Sequence, residues 1–265
     1  MHPERDHGHN RLLAAARHVA IIPARYHSSR LPGKPLADIC GRPMIEHVYR
    51  RAASARVIDA VIVATDDERV RDVVEAFGGI AWMTRADHSS GSDRLAEVVT
   101  SLSCELVVNV QGDEPLLAPE MIDEVMAPLV ADPTIPMGTL CRRIDRPDDL
   151  ADPNVVKVVT NGQGFALYFS RAPIPFVRDT PGGTEIGTGP RFKHIGLYVY
   201  RRDFLLTFAG LPRTPLERAE SLEQLRALEH GFRIRVAETM HDSVGVDTPA
   251  DLDRVRRLVA ADAHH

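Results

Sequence analysis

Four short apolar runs punctuate the first 110 residues, and the stretches between them carry helical rather than alternating spacing. The runs are Val19–Pro23 (VAIIP), Val57–Ala64, Ile80–Met83 and Leu106–Val110. Apart from Asp59 they are almost wholly apolar, so each reads as a strand buried on both faces rather than one alternating between core and solvent. Between them, Met44–Ala55 puts Ile45, Val48 and Tyr49 on one helical face, and Asp67–Phe77 and Asp93–Leu102 repeat the period. Gly78-Gly79 ends the second helix. A β-α-β-α-β-α-β order of this kind predicts an α/β fold with a mostly parallel central sheet and helices on both faces. Ligands of such sheets bind beyond the carboxyl ends of the strands, so chemistry is expected just after Pro23, Ala64 and Val110.

The pattern changes past Pro136. Val155–Thr160 and Phe165–Phe169, separated by Asn161-Gly-Gln-Gly164, read as a β-hairpin. Residues 176–191, with Pro181-Gly182-Gly183 and Gly187-Thr-Gly-Pro190, read as a long flexible loop able to close over a site. A strand at His194–Tyr200, a helix at Pro215–His230, a strand at Ile234–Ala237 and a helix at Pro249–Ala260 complete the chain. The sequence therefore predicts a disordered extension over residues 1–17. One domain is expected over 18–265, carrying a smaller hairpin subdomain at about 136–215.

Composition removes other classes. The 265 residues are 44% hydrophobic and 26% charged, enough to collapse around a core and incompatible with collagen, coiled coil or global disorder. Thirty-two Lys and Arg against 37 Asp and Glu leave −5, which argues against a nucleic-acid surface while allowing a local cationic pocket. Cys40, Cys104 and Cys141 form no Cys-x-x-Cys, so no zinc ribbon or disulfide scaffold is expected, and a cytoplasmic location fits. Neither a signal sequence nor a membrane partner is expected.

The loop after the first strand holds Arg25, Arg30 and Lys34 within ten residues, at the place where an α/β sheet binds anions. A triphosphate needs several charge-assisted hydrogen bonds to replace its lost hydration, and Gly33 allows close backbone approach. Pro35 stands where a Walker loop has Ser or Thr, so this is not a P-loop. Asp113 follows a buried strand and is flanked by Gln111 and Glu114, a position from which a carboxylate can join a hard cation to phosphate oxygens. Near the C-terminus, Thr248-Pro249-Ala-Asp251 reads as a helix start with a capping box, leaving Asp247 just outside it. Read singly, Asp113 and Asp247 serve equally well as turn or helix-end residues.

Eight segments in order carry a resemblance to the 3-deoxy-manno-octulosonate (Kdo) cytidylyltransferase family. They are IPARYHSSRLPGKPL around the first loop, TRADHSSGSDRLAEV from Thr84, NVQGDEPLL from Asn109, Pro153–Val159, ALYFSRAPIPF from Ala166, HIGLYVYRRDFL from His194, LEQLRALEHG from Leu222 and GVDTPADLDRVR from Gly245. The resemblance implies a Rossmann-like nucleotide-diphospho-sugar transferase fold, usually dimeric, that uses CTP, Kdo and Mg²⁺ in lipopolysaccharide biosynthesis. It implies nucleotide contacts from Pro23, Ala24, Arg25, Arg30, Lys34, Ser90 and Arg94, and magnesium ligation by Asp113 and Asp247. It implies Kdo contacts from Gln111, Arg171, Arg178, His194, Tyr198, Glu223 and Gln224. Arginines suit a sugar acid because they can take its carboxylate bidentately. His27, Ser92 and Phe176 depart from the residues usual in the family.

The reaction this implies is in-line attack of the Kdo anomeric hydroxyl on the α-phosphorus of CTP, releasing pyrophosphate. Positioning and charge neutralisation would do most of the catalysis, with Arg25, Arg30, Lys34, Asp113 and Asp247 as the catalytic group and no side chain marked as general base. Transfer to another ulosonic acid or a sugar 1-phosphate, or CTP sensing without catalysis, are the alternatives; both aspartates would be superfluous in a sensor.

Overall fold

The computed structural model describes residues 11–27, 31–178, 189 and 191–262. Arg30 and most of the glycine-rich loop lie outside the described residues. Residues 11–15, within the segment expected to be disordered, are helical. The described chain forms two compact units, the first comprising residues up to Asp123 with Tyr200–Ala209 and Ser243 onward, the second Glu124–Val199 with Gly210–Asp242.

In the first unit, β1 (His18–Ala24) pairs in parallel with β4 (Ala60–Thr65) and with β6 (Leu106–Asn109), and β4 pairs in parallel with β5 (Ile80–Met83). Every residue of β4 is buried, and Val19 to Ile22 are fully so, as continuous apolar runs require. Helices α1 (Met44–Ala53), α2 (Glu68–Ala76) and α3 (Gly91–Thr100) flank these strands. The third begins two residues before the expected start because Ser90 and Asp93 form a capping box that recruits Gly91 and Ser92 into the first turn. A two-stranded hairpin of β2 (Asp38–Ile39) and β3 (Arg42–Pro43) precedes α1. Ile39 and Met44 pack with Val246, Leu252 and Val255, a cluster that ties the C-terminal helix Pro249–Asp262 to the segment after the first loop.

In the second unit, β7 (Met137–Arg143) pairs in parallel with β11 (Ile234–Glu238), while β8 (Lys157–Thr160) pairs antiparallel with β9 (Ala166–Ser170) and with β10 (Phe192–Arg201). The expected hairpin is present, its turn set by Asn161 Oδ1, which accepts from the amides of Gln163 (2.9 Å) and Phe165 (3.0 Å). The helix expected over Pro215–His230 is two helices, Pro215–Glu220 and Gln224–Glu229. Ser221 breaks it by adopting the left-handed region at φ 52°. Serine competes with helix by local hydrogen bonding, and here the break frees Glu220 to bond to β9. Elements not foreseen include the helices Pro119–Ala131, Pro147–Ala151 and Arg202–Gly210, the β2–β3 hairpin and strand β7. Pro128 lies inside the first helix, where it interrupts the expected pattern, and β7 reads MGTLCRR, whose glycine, threonine and arginines hide a mostly buried strand.

Candidate functional site

In the first unit the loop after β1 folds back on itself. Gly33 takes φ 70°, a left-handed turn suited to glycine, and its amide donates to Tyr26 O at 3.1 Å. Its N–H therefore closes the loop instead of pointing outward to an anion. The Tyr26 ring carries the Arg69 guanidinium 3.4 Å from its centroid, and Arg69 is paired in turn with Asp67. The turn after β6 presses against the end of β1, since a Cβ on Gly112 would lie 3.0 Å from Pro23 O. Asp113 thereby sits beside the cationic loop. The amide of Val246 donates to Asp113 O at 2.9 Å, bringing the next residue, Asp247, to the same place.

The three charges meet. Lys34 Nζ donates to Asp113 Oδ2 at 2.6 Å and to Asp247 Oδ1 at 3.0 Å. The lysine side chain is 13% exposed, whereas those of Asp113 and Asp247 are 36% and 50% exposed, so the carboxylates remain open to solvent on the side away from the ammonium. The Thr248–Asp251 capping box forms as expected: Thr248 N donates to Asp251 Oδ2 at 2.8 Å and Asp251 N to Thr248 Oγ1 at 3.3 Å. Asp247 N also donates to Asp251 Oδ2, which fixes the backbone of Asp247. Thr248, first among these bonds, and the amides hold Asp251 below the usual carboxylate range.

Arg25 is exposed and its guanidinium donates to the carbonyl of His88, whose ring bonds to Glu97. Pro23 and Ala24 form the end of β1. Ser90 Oγ accepts from Asp93 N at 3.1 Å, so its hydroxyl is a helix cap. Arg94 is fully buried, 3.4 Å from Asp66, with Nε and Nη2 lacking a hydrogen-bond partner among the described residues. Burial pulls its pKa down and Asp66 opposes the shift. Such donors are costly to leave unpaired, and a ligand acceptor would satisfy them. Gln111 Nε2 lies 3.5 Å from Asn109 Oδ1, and Glu114 accepts from Ser243 Oγ at 2.6 Å.

In the second unit, Arg171 donates through Nε to Glu220 O at 2.6 Å and through Nη1 to Pro153 O at 2.9 Å. His194 and Tyr198, four apart on β10, share a face, with ring centroids 5.4 Å apart. The His194 ring also meets Phe169 edge-on, and its Nε2 bonds to Thr139 Oγ1 at 2.9 Å. Desolvation in this packing pushes the imidazole pKa down to about 3, so the ring is neutral at pH 7. Glu223 and Gln224 stand at the start of the second short helix; Gln224 is buried with Nε2 unpartnered among the described residues. Arg178 and Phe176 are exposed. Sequence reasoning missed the supporting residues Asp66, Thr139 and Glu220. Each looks locally like an ordinary turn, strand or helix-face residue, and only the fold shows what it touches.

Among the described residues no group of three His, Cys, Asp or Glu is arranged to hold a metal ion. Asp113 and Asp247 supply two carboxylates, a donor set that suits a hard cation taking its remaining oxygens from phosphate and water. No helix among the described residues is long and apolar enough to cross a membrane.

A family model described as cytidylyltransferase matches residues 19–235. A 3-deoxy-manno-octulosonate cytidylyltransferase of Syntrophotalea carbinolica is 61% identical over 240 residues, covering 89% of this chain and 96% of that protein. One from Solibacter usitatus is 56% identical, covering 92% of this chain and 94% of its own length. The solved structure of a CMP:2-keto-3-deoxy-manno-octonic acid synthetase complexed with CTP superposes with a TM-score of 0.87 at 48% identity, over 93% of this chain and 99% of that one.

Proposed function

This chain belongs to the 3-deoxy-manno-octulosonate cytidylyltransferase family, and on that premise we propose that it converts CTP and Kdo to CMP-Kdo and pyrophosphate with the charges gathered around Lys34. The observation that carries the reading is the meeting of Lys34 with Asp113 and Asp247, residues 79 and 213 positions away from it, beyond the carboxyl ends of β1 and β6. A turn residue and a helix-end residue have no structural need to share one ammonium; a triphosphate site needs both signs of charge at one point.

The anomeric hydroxyl oxygen of Kdo forms a bond to the α-phosphorus of CTP, the bond from that phosphorus to the bridging oxygen breaks, and the hydroxyl proton passes to solvent. Lys34 and Arg25 neutralise charge on the departing pyrophosphate, a role in which Arg30 joins them by family resemblance. Pro23 and Ala24 form the end of β1, along which the nucleotide would lie. Arg94, with spare buried donors, and the segment capped by Ser90 serve the cytidine side. Asp113 and Asp247 would hold Mg²⁺, which supplies charge neutralisation at the phosphate and lowers the pKa of the attacking hydroxyl. Both carboxylates already accept from one cation, Lys34, and remain part-exposed, which supports the fit to a second.

Kdo recognition falls to Gln111, Arg171, Arg178, His194, Tyr198, Glu223 and Gln224. Arg171 has its Nε and one Nη1 hydrogen fixed on backbone carbonyls, leaving Nη2 without a partner among the described residues and able to meet the sugar carboxylate. Neutral His194 reads hydroxyl groups and does not act as a cation. The homodimer and the cytoplasmic location implied by the family complete the proposal. Pyrophosphate release measured with Mg²⁺, each of four nucleotides, and Kdo against sialic acid tests it. CTP with Kdo should exceed every other pair; preference for sialic acid or for another nucleotide would overturn it.

A further inference from the structure

In the second unit, the carboxylate of Glu220, which the proposed function does not use, lies against Arg171, which it does use. Glu220, at the end of the helix Pro215–Glu220, reaches β9 with both its oxygens: Oε1 accepts from Ser170 Oγ at 2.7 Å and Oε2 accepts from Arg171 N at 2.9 Å. Its own carbonyl accepts from Arg171 Nε at 2.6 Å. One residue thus grips Arg171 at its amide and at its guanidinium. The grip depends on the left-handed Ser221, which ends the helix there and turns the chain towards Glu223 and Gln224.

The electrostatics agree with the geometry. Burial alone would raise the Glu220 carboxyl, but the bonds from Arg171 N, Ser170 and the more distant Tyr168 outweigh it and hold the group below its usual range. Lys157, fully buried and paired with Ser170 in the β8–β9 register, is pulled down by desolvation and held up by the charges of Asp152 and then Glu220, while Arg171 opposes them. Glu220 is therefore, after Asp152 for Lys157, an anion that lets these two cations stand close together at the end of one hairpin. A long arginine side chain loses much rotamer freedom on binding, and fixing it beforehand lowers that cost.

We propose that Glu220 is a positioning residue for Kdo binding, aligning the Arg171 guanidinium so that its free edge meets the sugar carboxylate. This rests on the assignment of Arg171 to Kdo. Steady-state KM and kcat are to be measured separately for Kdo and CTP in the full-length Arg171→Ala, Glu220→Ala and Glu220→Asp proteins, with thermal melts as a check on folding. Arg171→Ala should raise the Kdo KM on the order of 10- to 100-fold. Glu220→Ala should raise it about tenfold, with the CTP KM unchanged and kcat within about threefold. Glu220→Asp keeps the charge but is a methylene short of Ser170 and Arg171 N, so it should shift the Kdo KM in the same sense and remain informative should Glu220→Ala not fold. A normal Kdo KM in Glu220→Asp, or in a folded Glu220→Ala, while Arg171→Ala is impaired, would overturn the positioning role alone. A normal Kdo KM in Arg171→Ala would remove the Arg171 assignment and this inference together. Equal loss for Kdo and CTP in the Glu220 variants would show a general structural role and overturn it as well.

Discussion

The two units hold their cations in opposite ways. In the first, Lys34 is gripped by the carboxylates of Asp113 and Asp247, side chains from two separate loops. In the second, Arg171 is gripped by two backbone carbonyls, with Glu220 bonded to its amide. Side-chain ion pairs can change partners when a ligand brings charges of its own, because each group gains what another gives up. Backbone carbonyls have no such freedom, so a guanidinium bonded to them keeps its place with or without ligand. The first arrangement suits a highly charged nucleotide and its divalent ion; the second suits a sugar acid with a single carboxylate.

Four experiments strain this contrast. The largest effect belongs to the carboxylates: Asp113→Asn and Asp247→Asn should each lower kcat on the order of 10³-fold in a pyrophosphate-release assay while the melting temperature holds. Near-wild-type turnover in either would break the account of the first unit. Next comes the fixed character of the second unit. The Glu217–Arg226 pair there has side chains only 2% and 6% exposed, at 2.6 Å, and Arg226→Met should cost about 3 kcal/mol in urea unfolding because it removes the buried partner of a carboxylate otherwise held by the exposed Arg213 and the Thr214 amide. Adding Glu217→Leu should restore much of that loss; no restoration would mean that the pair does more than neutralise itself.

A smaller effect, a fall of about 10²-fold in kcat/KM for CTP, is expected for Lys34→Ala, with the Kdo KM little changed. A change confined to Kdo would blur the division between the units. The smallest concerns pH. The folded protein holds His194 neutral, with its pKa near 3, whereas the unfolded chain protonates it around 6.5. The unfolded state therefore binds more protons between those values. The stabilisation is complete above 6.5 and drains away as pH falls towards 3. His194→Gln should flatten that part of the melting-temperature profile, and an unchanged slope would place the titration elsewhere.

The first unit was the more legible in sequence for a physical reason. Strands buried on both faces are apolar throughout, as in VAIIP and the run ending at Ala64, and their carboxyl ends announce where ligands bind. The capping box at Thr248 could likewise be read from spacing alone. That Asp247 would come back to Asp113 could not, because it depends on Val246 bonding to the 113 carbonyl and on the packing of Ile39, Met44, Val246 and Val255. In the second unit, β7 was hidden by its polar and glycine residues, and the break at Ser221 by good helix formers on both sides. Nothing in the sequence around it distinguishes Glu220 from a solvated helix carboxylate. Its role follows from the break, and nothing local in the sequence signals a serine about to turn left-handed.

The central claim is that Asp113 and Asp247 act together on one divalent ion in the presence of nucleotide. Electron paramagnetic resonance titration of Mn²⁺ into protein with CTP and without Kdo tests it without relying on turnover. CTP-dependent Mn²⁺ binding should be present in the wild type and weakened about tenfold or more in both Asp113→Asn and Asp247→Asn. Wild-type Mn²⁺ affinity in either variant would contradict it.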